Sequence, residues 1–215
     1  MNTARKKLVP VRKTFRHGNL RKALLEAGIE LARGGGPNAV VLREATRRAG
    51  VAPNAAYRHF ASHGDLLHAV RAAALSSLAL AIEVEIAKVR PSRRREETAR
   101  AMLRAVGTGY LKFALSETGL FRAAFSVPDK VEGDLDVSKT GKSGLNPFQL
   151  LGAALDQMVK AGALSPERRP GAEYLAWSAV HGMAFLIIEG PLQSASHKEV
   201  QRLSERLLRM VEKGL

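Results

Sequence analysis

The sequence predicts an all-α protein: an N-terminal three-helix helix-turn-helix unit followed by a C-terminal helical bundle, about nine helices in total. Three observations predict it. Apolar residues recur at helical spacing along most of the 215 residues, and no segment alternates as a half-buried strand would. Two short helical stretches flank a turn centred on a glycine near the N-terminus, the proportions of a helix-turn-helix. Hydrophobic residues make up 46% and charged residues 25%, a globular composition that excludes wholesale disorder and collagen-like repeats. The chain is long enough to bury a sizeable core without staples.

The elements follow in order. Leu20, Leu24, Leu25, Ile29 and Leu31 lie near helical spacing, and Gly34-Gly35-Gly36-Pro37 stops that helix. A short helix over Leu42–Ala49 ends at Gly50, a residue suited to a left-handed cap. Pro53 is tolerated in a first helical turn, so Asn54–His59 reads as the second short helix. Ser62 and Asp65 match a capping box and open a long Ala/Leu-rich helix running to about Lys88. Glu96–Ser116 and Thr118–Val127 follow, the latter ended by Pro128. The polar segment Asp129–Gly144 reads as a mobile loop. Pro147–Ala161 and Gly171–Glu189 are helical. Finally, Lys198–Lys213 sets Val200, Leu203, Leu207, Met210 and Val211 on one stripe.

Charge is unevenly spread. Residues 1–60 hold 13 Lys+Arg and 3 Asp+Glu, a net of +10 out of +14 for the chain. Such asymmetry points to an anionic partner, nucleic acid or an acidic surface, although a charge run is also an ordinary solvated face. Residues 1–16 read as a disordered basic arm, either a phosphate clamp or a base reader. No apolar segment follows it, so it is not read as a signal peptide. Zero cysteines exclude a disulfide framework and a thiolate nucleophile, and fit a reducing, cytoplasmic setting. Ala176–Ile188 is the most apolar stretch and is too short to span a bilayer. No membrane association, cofactor or metal is expected.

Nor does the sequence hold a catalytic constellation. There is no His-Glu-x-x-His and no nucleophile elbow. Gly141-Lys142-Ser143 echoes the end of a phosphate loop, but Asp136 stands where its first glycine belongs. His59 and His63 are four residues apart across a helix break, with no third ligand in view.

His17-Gly18-Asn19-Leu20-Arg21, then Ala49-Gly50-Val51-Ala52-Pro53-Asn54-Ala55-Ala56-Tyr57-Arg58-His59-Phe60 and Leu66-Leu67, resemble the DNA-binding domain of TetR/AcrR-type transcriptional regulators. The resemblance covers about residues 15–70. Trp177-Ser178-Ala179-Val180-His181-Gly182 is similar to the Trp-x-x-x-His-Gly motif of one C-terminal class in that family. The resemblance implies a homodimer on a palindromic double-stranded DNA operator, and a C-terminal body that hosts a small-molecule effector. It divides the chain into the arm at 1–16, the DNA-binding domain at 17–64, and a ligand-binding and dimerisation domain at 65–215. The sequence departs from the family at Val41 and Ala55, where threonine is common, at Ala52, where a serine or threonine cap is usual, and at His63, where lysine is common.

The candidate site residues read as follows. A recognition helix presents its first residues to base edges. Asn54 offers an amide for bidentate pairing with adenine, and Arg58 reaches either a guanine edge or a phosphate. The resemblance makes Tyr57 and His59 backbone anchors, and Arg43 is a further base or phosphate candidate. Phe60 is core. For an effector pocket the candidate walls are Met102, Tyr110, Phe113, Phe121, Phe125, Trp177, His181 and Phe185, which include no Lys or Arg and so suit a neutral, fairly apolar guest. Trp177 and His181 also admit a purely structural role. The reading is a DNA-binding transcriptional regulator, a repressor released by its effector, and not an enzyme. The alternative is a ligand-free nucleic-acid-binding structural or adaptor protein whose body only dimerises.

Overall fold

The computed structural model describes residues 20–128 and 132–215. The basic arm and His17-Gly18-Asn19 lie outside the described residues. Among the described residues there are nine α-helices, three short 3-10 turns and no strand.

Helix α1 (Leu20–Gly35) turns Leu24, Ala27, Gly28, Leu31 and Ala32 inward. Helix α2 (Leu42–Ala49) buries Leu42, Ala45, Thr46 and Ala49, then stops at Gly50. Gly50 has φ +68°, a left-handed position that an L side chain resists, and its N–H returns to Arg47 and Thr46. Helix α3 (Pro53–Ala56) is shorter than the expected Asn54–His59. It closes after one turn because the Ala56 carbonyl takes the N–H groups of both His59 and Phe60, each at 2.9 Å. That tightening drives the Phe60 ring into the core. Neither Val41 nor Ala52 supplies a side-chain cap, so α2 and α3 begin uncapped.

Ser62 and Asp65 form the expected capping box at the start of α4 (His63–Ile86), with reciprocal hydrogen bonds of 3.1 Å. The first turns of α4 bring Leu66 and Val70 onto Gly28 of α1, and its later turns pack along α5 (Arg95–Ser116). Helix α6 (Thr118–Ala124) is short, ending three residues before the expected Val127. It is followed by α7 (Pro147–Lys160), α8 (Ala172–Ile188) and α9 (His197–Gly214). One core runs through head and body: Leu24, Leu66, Leu78, Ile82, Leu120, Leu155 and Met158 are all fully enclosed. Truncating any of these to alanine costs about 2–5 kcal/mol.

The segment expected as a mobile loop is anchored over its described part. Val137–Lys139 forms a 3-10 turn capped by Asp136, and buried Lys139 pairs with Asp134 at 2.7 Å. Glu83 of α4 accepts from the N–H groups of Lys142 and Ser143 and from the Ser143 hydroxyl at 2.6–2.9 Å. Composition conceals this, because the segment's polar groups are satisfied by one another and by a distant carboxylate rather than by water.

Candidate functional site

A cavity of about 660 Å³ opens within the C-terminal helices, inside the range of small-molecule sites. Tyr110 of α5, Phe125 after α6, and Trp177 and His181 of α8 line it. Leu103, Val106, Gly107 and Tyr110 recur at three- and four-residue spacing, so one face of α5 forms a wall.

Four expected wall residues lie elsewhere. Phe121 stands behind the wall, edge-on to Tyr110 with ring centres 5.7 Å apart and 5.1 Å from Phe125. Phe113, one turn beyond Tyr110, packs instead near Ser77 and Ala81 of α4 and Leu120 of α6. Met102 is half-buried away from the cavity. Phe185 is 54% exposed, since eight residues carry it about 80° round the helix from Trp177. Missed in the sequence were Phe148 and Tyr174, whose rings continue the wall, and three cations.

Arg71, Arg104 and Lys139 line the cavity, which corrects the expectation of walls without Lys or Arg. Each is engaged by the protein. Lys139 pairs with Asp134, Arg104 pairs with Glu212, and Arg71 donates to the Val127 carbonyl at 2.8 Å. Periodicity finds apolar faces but not which long cationic stem bends under a loop.

Among the aromatic walls three polar groups form one connected chain. Trp177 Nε1–H donates to the Tyr110 hydroxyl at 3.2 Å, and that hydroxyl lies 2.7 Å from His181 Nδ1. Burial lowers the His181 pKa and raises that of Tyr110 far above the ordinary phenol range.

At the other end of the molecule Asn54, Tyr57 and Arg58 are exposed on α3 and the turn after it, while His59 is half-buried. Tyr57 presents 58% of its surface, unusual for so large a ring, whereas Phe60 is enclosed and carries the Arg21 guanidinium 5.2 Å above it. On α2, Glu44 hydrogen-bonds Arg47 and Arg48 and is drawn down to about 2 by the Arg47 hydrogen bond first. Arg43 on the same helix is exposed, with no ion-pair partner among the described residues. The structure thus gathers Arg43, Asn54, Tyr57, Arg58 and His59 on the helix-turn-helix segment and keeps them apart from the cavity. Among the described residues no group of three His, Asp or Glu could hold a metal ion, and no helix is long and apolar enough to cross a membrane.

Residues 24–70 match the model of "Bacterial regulatory proteins, tetR family", and residues 103–211, just over half the chain, match "Tetracyclin repressor-like, C-terminal domain". The chain belongs to the TetR family. No curated protein sequence matches it. Solved structures do. A protein of unknown function from Rhodococcus sp. RHA1 is 24% identical, with a TM-score of 0.69 over 92% of this chain and 97% of its own. The transcriptional regulator FadR from Bacillus subtilis, solved with stearoyl-CoA, is 14% identical, with a TM-score of 0.64 over 90% and 98%. The TetR family regulator PfmR from Thermus thermophilus is 16% identical, with a TM-score of 0.54 over 89% and 98%. At these identities the likeness shows the TetR fold. The family is one of transcriptional regulators rather than enzymes.

Proposed function

We propose that this TetR-family chain is a homodimeric, sequence-specific DNA-binding repressor that releases its operator when a small molecule fills the C-terminal cavity. On this reading residues 17–64 bind DNA and residues 65–215 bind ligand and dimerise. Arg43, Asn54, Tyr57, Arg58 and His59 meet the duplex, and Tyr110, Phe125, Trp177 and His181 meet the effector.

One observation carries the ligand-responsive part: α6 stands between cavity and head. Its C-terminal end delivers Ala124 and Phe125 to the cavity, while its start abuts the last turn of α1 through Glu117 and Gly119. A guest that moves α6 acts on the orientation of the DNA-binding head, which is a coupling free energy between two sites. That FadR of Bacillus subtilis holds stearoyl-CoA on the same fold supports a guest with a large apolar body. An adaptor that only dimerises has no use for a cavity of this size.

Dimerisation draws support from α8, where Leu175, Ser178, Gly182, Phe185 and Leu186 form an exposed, uncharged stripe, and from Met210 of α9, 61% exposed. A two-fold pairing of α8 and α9 with their mates as a four-helix bundle covers these apolar groups.

The test is selection of bound duplexes from a random pool. Enrichment of a palindrome, and its release by a compound that raises the thermal midpoint of the protein, is the expected result. Recovery of unselected sequence would leave the adaptor reading standing.

A further inference from the structure

The hydrogen-bonded chain of Trp177, Tyr110 and His181 has a direction. Indole Nε1–H only donates, so Tyr110 accepts from Trp177. Tyr110 is 5% exposed, and its own O–H needs an acceptor. Among the described residues the acceptor in reach is His181 Nδ1 at 2.7 Å. Nδ1 therefore carries the lone pair, and the neutral ring bears its proton on Nε2. Burial keeps that ring neutral and Tyr110 a phenol. Among the described residues Nε2 has no hydrogen-bond partner, while His181 lines the cavity. The relay thus ends in one N–H donor awaiting an acceptor.

The surroundings restrict what brings that acceptor. Phe125, Trp177, Phe148 and Tyr174 follow one another with ring centres 6.0, 6.1 and 5.6 Å apart, a nearly continuous aromatic wall. Flat apolar guests suit such edges and faces. The cations of the lining already face Asp134, Glu212 and the Val127 carbonyl, so an anionic guest must compete for them.

We infer that the cavity selects an uncharged, largely apolar ring compound bearing a carbonyl-type oxygen, which accepts a hydrogen bond from His181 Nε2–H. This rests on the effector reading of the cavity and narrows it to a ligand class. A site built around a polar donor rejects the analogue that leaves it unpaired, more strongly than it discriminates by shape.

A matched set of probes tests it: benzophenone, diphenylmethane, which replaces the carbonyl by a methylene, and 4-benzoylbenzoate, which adds a carboxylate. Calorimetric titration of the full chain should give benzophenone about tenfold tighter than diphenylmethane, the worth of one hydrogen bond. In His181→Phe, which keeps a ring and removes the donor, the ratio should fall to about one. Tyr110→Phe releases the tautomer and should lower the ratio without removing the ring wall. Nitrogen-15 shifts of the wild-type imidazole give a readout independent of either variant's folding. A pyridine-type Nδ1 and pyrrole-type Nε2 are expected, and the reverse assignment overturns the inference. Equal binding of ketone and hydrocarbon also overturns it while leaving an apolar effector cavity intact. Tighter binding of 4-benzoylbenzoate, unchanged in His181→Phe, replaces it with an anion site. Binding of none of the three overturns it together with the effector reading.

Discussion

Arg33 at the end of α1 donates from Nε to the Glu117 carboxylate at the head of α6, 2.9 Å away, and joins the helix-turn-helix head to the C-terminal body. The Glu117 hydrogen bond is the largest of the effects on the Arg33 pKa, and it holds the group above its ordinary value. Both side chains are over 30% exposed, so the pair itself contributes at most about 1 kcal/mol. The stiffer tie lies two residues on. The Gly119 backbone rests against the carbonyl oxygens of Ala32 and Arg33, with no space for a Cβ.

The two ties therefore separate by mutation. Gly119→Ala should force α6 away from α1, at an overpacking cost of about 1–3 kcal/mol. Glu117→Gln should change stability by less than about 1 kcal/mol. Thermal unfolding checks both. If Gly119→Ala is neutral and leaves ligand-induced DNA release unchanged, α6 is not the element that links the sites.

At the DNA-binding end, Tyr57→Phe and His59→Ala should weaken binding to every duplex alike. Each lost phosphate contact should flatten the log–log salt slope by about 0.9. Asn54→Ala or Arg58→Ala should also relax specificity, by about 1–3 kcal/mol for a lost base pairing. Titrations at several salt concentrations distinguish the two classes. Folded Tyr57 and His59 variants that bind like wild type would remove both residues from the interface.

Glu83 makes a pH prediction. Desolvation raises its pKa, but the hydrogen bonds from Ser143 and Lys142 outweigh this and leave it below the ordinary carboxylate value. A depressed acid contributes stability that is present above the unfolded pKa, about 4.3, and lost as pH falls through the folded value. Acidification below about pH 4 should thus loosen residues 140–146, and Glu83→Gln should do so at neutral pH. Amide exchange at Lys142 and Ser143 reports it. Protection that is equal in wild type and variant would show that the carboxylate does not hold the loop.

Much of this was legible in the sequence, and the failures share a cause. Gly50, the Ser62–Asp65 box and the glycine-proline stops act through local backbone geometry, so they can be read from neighbours in the chain. The cavity walls cannot. Tyr110, Phe125, Trp177 and His181 meet there, but Phe113 and Phe185, also aromatic and about 60° and 80° round their helices from Tyr110 and Trp177, face elsewhere. Aromatic character says that a ring is to be buried, not against which helix. Arg71 and Lys139 were missed for the converse reason: their charge suggests exposure, and tertiary partners bury them.

The α8 stripe gives the last prediction. Phe185 is 54% exposed and Leu186 40%, next to Gly182, where a second helix can approach closely. Ala176, Val180, Ala184 and Ile188 hold α8 to its own body, so a charge at Phe185 should leave the fold intact. In a two-fold interface the same residue is buried twice, and Phe185→Glu sets two carboxylates into one apolar seam. Desolvating an unpaired carboxylate costs several kcal/mol, enough to turn a micromolar dimer into a monomer. Sedimentation should show wild-type dimer and variant monomer with unchanged helical circular dichroism. Specific binding to a palindromic duplex should vanish with the dimer, since each half-site needs its own head. A Phe185→Glu protein that still sediments as a dimer would move the interface off α8, and a wild-type monomer at micromolar concentration would remove it altogether.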